Sequence, residues 1–210
     1  MRYIYICLLL LFLTSCSTKD ELKLGDFLFQ NLDNTELSES IENATSNKED
    51  FQISHMGIVV FEKTGIFVIE AFDSVQKTPL ALFLKRSVYS NGKPKVIVGR
   101  LKKEYQYSID SSIDRVCGLL GKPYDKEFKL NNDKYYCSEL VYESFLTKNN
   151  KPIFSVKPMS FINKSTGKMD KAWIDYYAKL NCKIPEGELG NNPADYAKSD
   201  VVEIVPIKFW

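Results

Sequence analysis

The chain has 210 residues, with 28 Lys and Arg against 27 Asp and Glu, and 44% of its residues are apolar. That length suits one domain with a sizeable core. The near-zero net charge gives no basic surface for nucleic acid, so we do not expect nucleic acid as a partner. The single histidine excludes metal sites built from several histidines, so neither a metal nor another cofactor is expected.

The N-terminal segment has the pattern of a bacterial lipoprotein signal. Arg2 precedes an apolar run over residues 3–13 that is too short to span a bilayer as a mature helix. The run ends in Leu13-Thr14-Ser15-Cys16, which resembles a lipobox and implies cleavage after residue 15 with lipid attachment to Cys16. We therefore expect a signal peptide at 1–15, a tether at 16–21 and membrane attachment in the cell envelope, on its periplasmic or cell-surface side. The alternatives are an ordinary cleaved signal, or a short apolar N-terminus with a cysteine at this position by chance.

The cysteines that remain are odd in number. Cleavage would discard Cys7 and lipidation would occupy Cys16, which leaves Cys117, Cys137 and Cys182. In an oxidising compartment, at least one of these thiols cannot join an intramolecular disulfide. We expect Cys117 to lie in the core, because it belongs to an apolar helical stripe. Cys182 is in a predicted loop and is either free or paired with Cys117.

The predicted elements begin with strands and continue mainly with helices. Apolar and β-branched runs predict strands at residues 24–30, 53–61, 66–72, 96–101 and 201–207. Helices are predicted at residues 37–44, 79–87, 109–120, 137–146 and 171–180. A tight turn at 62–65 joins the second and third strands in a hairpin. This order favours a single α+β domain over residues 22–210, with a mostly antiparallel sheet packed with helices.

The hairpin is predicted to set a histidine beside a carboxylate. A two-residue turn pairs Glu62 with Gly65, and this register places Gly57 opposite Glu70. His55 and Glu70 then project from the same face of the sheet as diagonal neighbours. A carboxylate in this position orients and polarises an imidazole. The alternative is a structural histidine beside a solvated carboxylate.

Cys137 follows a polar loop and precedes an apolar helical run, so it is predicted to lie at a helix N-terminus. Unpaired N–H groups and the helix dipole favour the thiolate there and can bind the oxyanion of an acyl-transfer intermediate. A His–Glu pair on strands that faces such a cysteine has the arrangement of a cysteine-hydrolase triad. An inert core thiol is the alternative.

Five short segments occur in an order that resembles a known family. They are Leu24-Gly25-Asp26-Phe27-Leu28, Ser54-His55-Met56-Gly57-Ile58-Val59, Val68-Ile69-Glu70-Ala71, Gly121-Lys122-Pro123-Tyr124-Asp125 and Tyr136-Cys137-Ser138-Glu139-Leu140-Val141. The chain resembles the permuted papain-like amidases of the YiiX/YaeF type, a branch of the NlpC-like cysteine peptidase superfamily, over about residues 22–205. The tail, Ile184-Pro185-Glu186-Gly187 with Asn192-Pro193, also resembles that group.

The resemblance implies a circularly permuted papain-like (NlpC-like) fold, in which the histidine and the acid precede the cysteine. It implies that Cys137 is the nucleophile, His55 the general base and Glu70 the orienting acid. It assigns no side-chain oxyanion donor, for which Tyr124 and Tyr136 are the candidates.

These observations predict a membrane-anchored cysteine hydrolase that cleaves amide bonds through a thioester intermediate. Peptides of the cell envelope or of peptidoglycan are the expected substrates, by analogy with the superfamily and from the expected location. One alternative is an acyl or lipid hydrolase, or an acyltransferase, with the same triad. Another is a non-catalytic lipoprotein that retains the fold. The sequence leaves the substrate and the oligomeric state open.

Overall fold

A six-stranded antiparallel sheet is the largest element of the computed structural model, which describes residues 21–32, 35–46 and 50–209. Its strands are β1 (Phe27–Gln30), β2 (His55–Glu62), β3 (Gly65–Ala71), β4 (Val75–Pro79), β5 (Val96–Leu101) and β6 (Val202–Val205). They lie in the order β6-β5-β1-β2-β3-β4. The signal peptide predicted at 1–15, Cys16 and the tether up to residue 20 lie outside the described residues.

Helices cover the sheet and extend beyond it. They are α1 (Glu36–Thr45), α2 (Leu80–Lys85), α3 (Ile109–Gly118), α4 (Cys137–Ser144), α5 (Lys171–Leu180) and α6 (Pro193–Ala197), with a 3-10 helix at Lys103–Ser108. Two short ladders pair Lys157–Pro158 with Leu189–Gly190 and Ile162–Asn163 with Lys168–Met169. No helix in the described part of the chain is both long and apolar enough to cross a bilayer. The α+β class is confirmed.

The two faces of the sheet bury different partners, because side chains alternate along each strand. On one face, Phe27, Met56 and Ile69 belong to a core cluster that also contains residues of α3 and α4. On the other face, the sheet packs against α2; this smaller cluster contains Leu28, Val59, Val68, Phe83, Leu84 and Val98. The sheet is therefore a central layer, with α4 on one side and α2 on the other.

The register predicted for the β2–β3 hairpin is confirmed. Glu62 pairs with Gly65 and Ile58 pairs with Ile69, as a two-residue turn requires. The hairpin also explains a glycine: a Cβ on Gly57 would lie 2.4 Å from Cγ1 of Val68. A side chain at this position would push β3 away from β2 next to Glu70.

Strand β4 is an element that the sequence pattern did not predict. Its five residues include the polar Gln76, Lys77 and Thr78, and it ends at Pro79. Proline is tolerated there because β4 lies at the edge of the sheet. Pro79 is also the N-cap of α2, one residue before the helical position predicted for it.

The prediction that Cys117 lies in the core is wrong, because its side chain is exposed. The buried face of α3 is centred on Ser112 and Val116, and Cys117 falls beside that face. Because Ser112 is polar, a pattern based on apolar residues does not locate the buried face of α3 correctly. Cys117, Cys137 and Cys182 are all free thiols, so Cys117 and Cys182 are not paired.

Candidate active site

His55 and Glu70 form a buried pair at the beginning of β2. His55 Nε2 lies 2.6 Å from Oε2 of Glu70. The rings of Phe72 and Phe83 lie 5.7 and 5.9 Å from the imidazole, between ring centroids. The predicted diagonal placement on one face therefore brings the two side chains into contact, and the aromatic rings confine the imidazole.

Glu70 is held as an anion by three side chains. Besides the contact with His55, it accepts a hydrogen bond of 2.6 Å from Thr78 Oγ1 and two of 2.7 Å from the guanidinium of Arg86. Burial alone would raise the pKa of Glu70, but the hydrogen bonds from Arg86 and His55 outweigh burial and hold that pKa well below its usual range. Arg86 also stacks over the ring of Phe72, at 4.1 Å from its centroid.

Cys137 is the first residue of α4, as predicted, and is 7% exposed. The first bond within the helix runs from the N–H of Leu140 to the carbonyl of Tyr136, at 3.0 Å. The N–H groups of Cys137 and Ser138 therefore have no acceptor within the helix. The side chain of Glu139 reaches back to the N–H of Tyr136 at 3.4 Å, which stabilises the start of this helix.

The imidazole of His55 connects Glu70 with Cys137. Burial would lower the pKa of His55, but hydrogen bonds with the side chains of Cys137 and Glu70 raise it to about 9. Because Glu70 occupies Nε2, Nδ1 is the ring nitrogen left for the sulfur. The structure thus brings together all three residues that the sequence singled out for this site.

A cavity of about 260 Å³ lies beside Cys137. Its walls are mainly aromatic and apolar, and they come from α1, the loop before α4, the segment around the first short ladder, and α5. The lining includes Tyr124, Phe128, Tyr136, Phe161, Trp173 and Asn191.

The two candidate oxyanion donors both line this cavity. Burial, followed by the electrostatic interaction with the side chain of Cys137, raises the pKa of Tyr124 well above its usual range, so its hydroxyl remains protonated. The hydroxyl oxygen of Tyr136 accepts a 3.3 Å hydrogen bond from the N–H of Asn191.

Several residues of the site were missed by sequence reasoning. Arg86 and Thr78 reach Glu70 only because β4 and α2 fold back along β3, and β4 has no apolar signature. Asn191 directly precedes the Asn192-Pro193 motif, which was the available signal. Trp173 is buried in a cluster with Phe161 and Tyr177, and it also lines the cavity.

A histidine and its carboxylate on adjacent strands, followed in sequence by a cysteine at a helix start, define a papain-like cysteine-hydrolase arrangement in permuted order. A family model described as "Permuted papain-like amidase enzyme, YaeF/YiiX, C92 family" matches residues 21–205. The chain belongs to this family, and the resemblance found in the sequence is confirmed.

Two relatives agree with this assignment. The chain is 31% identical over 121 residues to the uncharacterized protein YiiX of Escherichia coli strain K12; the match covers 58% of this chain and 56% of that protein, about half its length. A crystal structure described as that of metalloprotein yiiX from Escherichia coli O157:H7 matches with a TM-score of 0.71 at 24% identity, over 90% of this chain and 98% of that one. This second likeness concerns the fold.

The donor set at the site does not fit a metal centre. Within the described residues, no three His, Cys, Asp or Glu side chains form a group that could hold an ion. Glu70 is already bonded to Arg86, Thr78 and His55, so His55 and Cys137 are the two side chains left facing one another. Structural metal sites need more protein ligands than two.

Proposed function

We propose that the chain is a cysteine amidase in which Cys137 is the nucleophile, His55 the general base and Glu70 the orienting acid. The observation that carries the proposal is the buried series of contacts from Glu70 through His55 to Cys137 at the start of α4. Membership of a permuted papain-like amidase family supports hydrolysis of an amide bond.

In the first half of the proposed reaction, the sulfur of Cys137 attacks the carbonyl carbon of the amide. The pKa of His55, about 9, keeps the imidazole protonated at neutral pH, which favours a thiolate beside it. The N–H of Cys137 and the hydroxyl of Tyr124 are the proposed donors to the oxyanion. His55 gives its proton to the leaving nitrogen, the C–N bond breaks, and the amine departs from a thioester.

In the second half, a water molecule attacks the thioester carbon and gives one proton to His55. The C–S bond breaks, and the acyl group leaves as a carboxylic acid. His55 and Cys137 return to their starting state, so one amide and one water yield one acid and one amine. Glu70 keeps its charge throughout and stabilises each imidazolium.

The aromatic and apolar walls of the cavity favour a second candidate, in which the same residues act on acyl esters. An apolar acyl chain would fill such a cavity as well as an apolar peptide side chain would. Matched peptide amides and lipid esters, assayed side by side, separate the two activities. Cleavage of esters alone would reject the amidase.

The proposed nucleophile can be tested against a matched cysteine. Cys137→Ala should lower turnover at least about a thousandfold, and a thiol-directed probe should then label only the remaining thiols, Cys117 and Cys182, among the described residues. Cys117→Ala removes an exposed thiol at the C-terminal end of α3 and should preserve turnover. Equal activity of the two variants would reject Cys137 as the nucleophile.

We also propose that the mature protein is anchored by lipid at Cys16 and acts on envelope peptides, including those of peptidoglycan. The lipobox-like sequence at 13–16 supports this location. Fractionation of cells fed a labelled fatty acid should place the labelled protein in the membrane fraction. Cys16→Ser should abolish the label; label retained in that variant would contradict the anchor.

A further inference from the structure

The wall of the cavity beside Cys137 carries cationic side chains and, among the described residues, no carboxylate. Lys157 and Lys164 belong to the lining, whereas neither an aspartate nor a glutamate does. Apart from Cys137, the other lining side chains are apolar or aromatic, or carry neutral hydroxyl and amide groups. The wall therefore has an excess of positive charge, in a chain whose net charge is close to zero.

The two lysines differ in how their charge is balanced. The Nζ of Lys157 lies 2.6 Å from Oδ2 of Asp195, a residue outside the cavity wall, so this charge is already paired. The Glu70 carboxylate of the candidate active site is balanced in turn by Arg86. Lys164 forms a hydrogen bond with a carbonyl oxygen instead, and within the described chain it is the cation of this wall that no ion pair balances.

Lys164 is held against the C-terminal end of α1. Its backbone N–H donates to the carbonyl of Asn43 at 3.0 Å, and its Nζ donates to the carbonyl of Thr45 at 2.8 Å. Thr45 is the last residue of α1 and also lines the cavity, so this contact places the ammonium at the wall. Carbonyl groups at a helix C-terminus carry partial negative charge, which stabilises a cation there. The ammonium is therefore positioned before a substrate binds.

The ammonium of Lys164 also keeps hydrogen-bonding capacity for a ligand. An ammonium has three N–H donors, and the carbonyl of Thr45 takes one of them. The side chain is exposed, so a molecule in the cavity can reach the remaining donors. Asp170, directly before α5, is not its partner, because that carboxylate accepts hydrogen bonds from the side-chain amides of Asn43 and Asn163.

A carboxylate is the chemical group that complements this arrangement. It accepts charge-assisted hydrogen bonds from an ammonium, and these are stronger than hydrogen bonds between neutral groups. The aromatic and apolar parts of the wall suit an apolar side chain of the same molecule. A neutral lipid ester would fill the apolar part of the cavity but would gain no ionic contact with Lys164, and a cationic molecule would be repelled.

We propose that Lys164 binds a carboxylate of the substrate, so that Cys137 cleaves an amide in a peptide that carries a free carboxylate beside an apolar residue. This inference rests on the proposed function, because it concerns the substrate that Cys137 attacks. It makes Lys164 a specificity-determining residue, and it selects an acidic peptide over a neutral lipid ester.

Pairs of peptides that differ in one charge test the proposal. Both members of a pair have the same apolar residue and the same cleaved amide, but one carries a carboxylate and the other the corresponding carboxamide. One pair places this group on the acyl side of the cleaved bond, and a second pair places it on the amine side. In at least one pair, kcat/KM of the wild type should favour the carboxylate by about fivefold to thirtyfold. Because salt screens exposed charges, this preference should shrink at about 0.5 M salt.

Two substitutions at Lys164 sharpen the test. Lys164→Gln should reduce the preference to below about twofold, because it lowers kcat/KM for the carboxylate and spares the carboxamide. Lys164→Glu should reverse the preference, since like charges repel. A lysine with a merely structural role would affect both members of a pair equally.

Lys168→Gln is the matched control. Lys168 is exposed, lies on the second short ladder and is not part of the cavity wall. Its replacement makes the same change in net charge and should keep the wild-type preference. Because Lys164 and Lys168 are both exposed, all three variants should melt within about 2 °C of the wild type, which shows that the kinetics are measured on folded protein.

The failures of the two proposals are distinguishable. If Cys137→Ala is inactive but the wild type shows no preference in either pair, or Lys164→Gln keeps the wild-type preference, the role of Lys164 is rejected and the amidase stands. If Cys137→Ala still cleaves the peptides, or the wild type cleaves none of them, the proposed function itself is rejected.

Discussion

Two buried carboxylates among the described residues, Glu70 and Asp26, each form two hydrogen bonds with one arginine. The two pairs differ in their other hydrogen-bond partners. Glu70 accepts two bonds of 2.7 Å from Arg86. Asp26, directly before β1, accepts two bonds of the same length from Arg100 on β5. Both pairs have the bidentate geometry that makes charge-assisted hydrogen bonds strong.

The difference lies in the remaining partners. Asp26 also accepts from the backbone N–H of Lys23, and Arg100 also donates to the carbonyl of Glu21, so this pair fastens the start of the domain to the sheet. Glu70 instead holds the imidazole of His55, which continues to Cys137. The same ion pair is structural in one place and part of a candidate active site in the other, and the third partner decides which.

The largest expected difference concerns turnover. Glu70→Gln should lower kcat by about 10³–10⁴-fold, because a neutral amide no longer stabilises the imidazolium or fixes its tautomer. Asp26→Asn should leave kcat within about threefold for the folded protein. Steady-state kinetics on samples normalised by folded fraction measures both. Similar losses in the two variants would break the distinction.

For stability, the order of the two sites is reversed: replacing Asp26 should reduce the free energy of unfolding more than replacing Glu70. Asp26→Ala leaves Arg100 buried without its counter-charge and should cost about 3–5 kcal/mol in the free energy of unfolding. Glu70→Ala should cost less, because the side chain of Arg86 is 17% exposed and can reach water. Urea denaturation of both variants measures this order. A larger loss in Glu70→Ala would contradict it.

The pH dependence should also separate the two pairs. The pKa of His55 is raised from 6.5 to about 9, so its contribution to stability is complete below pH 6.5 and is lost as the pH rises through about 9. Because the pKa of Glu70 is depressed, its contribution is present above pH 4.5 and is lost as the pH falls into the acid range.

Between pH 6.5 and 9.5, the wild type should therefore lose up to about 3 kcal/mol that His55→Gln does not lose. Asp26→Asn should retain the wild-type slope, because no imidazole adjoins Asp26. Unfolding free energies at a series of pH values measure the three slopes. Parallel curves for wild type and His55→Gln would show that the imidazole is not stabilised as described.

The smallest expected effect comes from replacing each arginine by lysine. Lysine keeps the charge but cannot form the planar two-bond contact. Arg86→Lys should lower kcat about tenfold with little change in KM, since Glu70 then holds His55 less firmly. Arg100→Lys should lower stability by about 1–2 kcal/mol and leave kcat unchanged. A fall in kcat in both variants would place Arg100 in the same functional network.

Much of the site could be predicted because it depends on local rules. A two-residue turn fixed the register of the hairpin, and with it the shared face of His55 and Glu70. The change from polar loop to apolar run located the start of α4 at Cys137. These inferences require only the periods of strands and helices.

The parts that could not be predicted depend on contacts distant in sequence. The two hydrogen bonds from Arg86 to Glu70 form because β4 pairs with β3, and most residues of β4 are polar. The cavity requires α1, α5 and the segment around Asn191 to meet beside Cys137. The misplacement of Cys117 arose from a serine at the centre of a buried helix face. Hydrophobic periodicity carries no information on any of these arrangements.

The bond between Arg100 and the carbonyl of Glu21 has a mechanical consequence. It fixes the chain to the sheet at Glu21, which is five residues after Cys16 in the sequence. Five residues can span at most about 17 Å, less than half the roughly 40 Å width of a domain this size. With lipid on Cys16 as proposed, the domain would stay close to the bilayer surface. It would act on substrates in the thin layer directly above the headgroups.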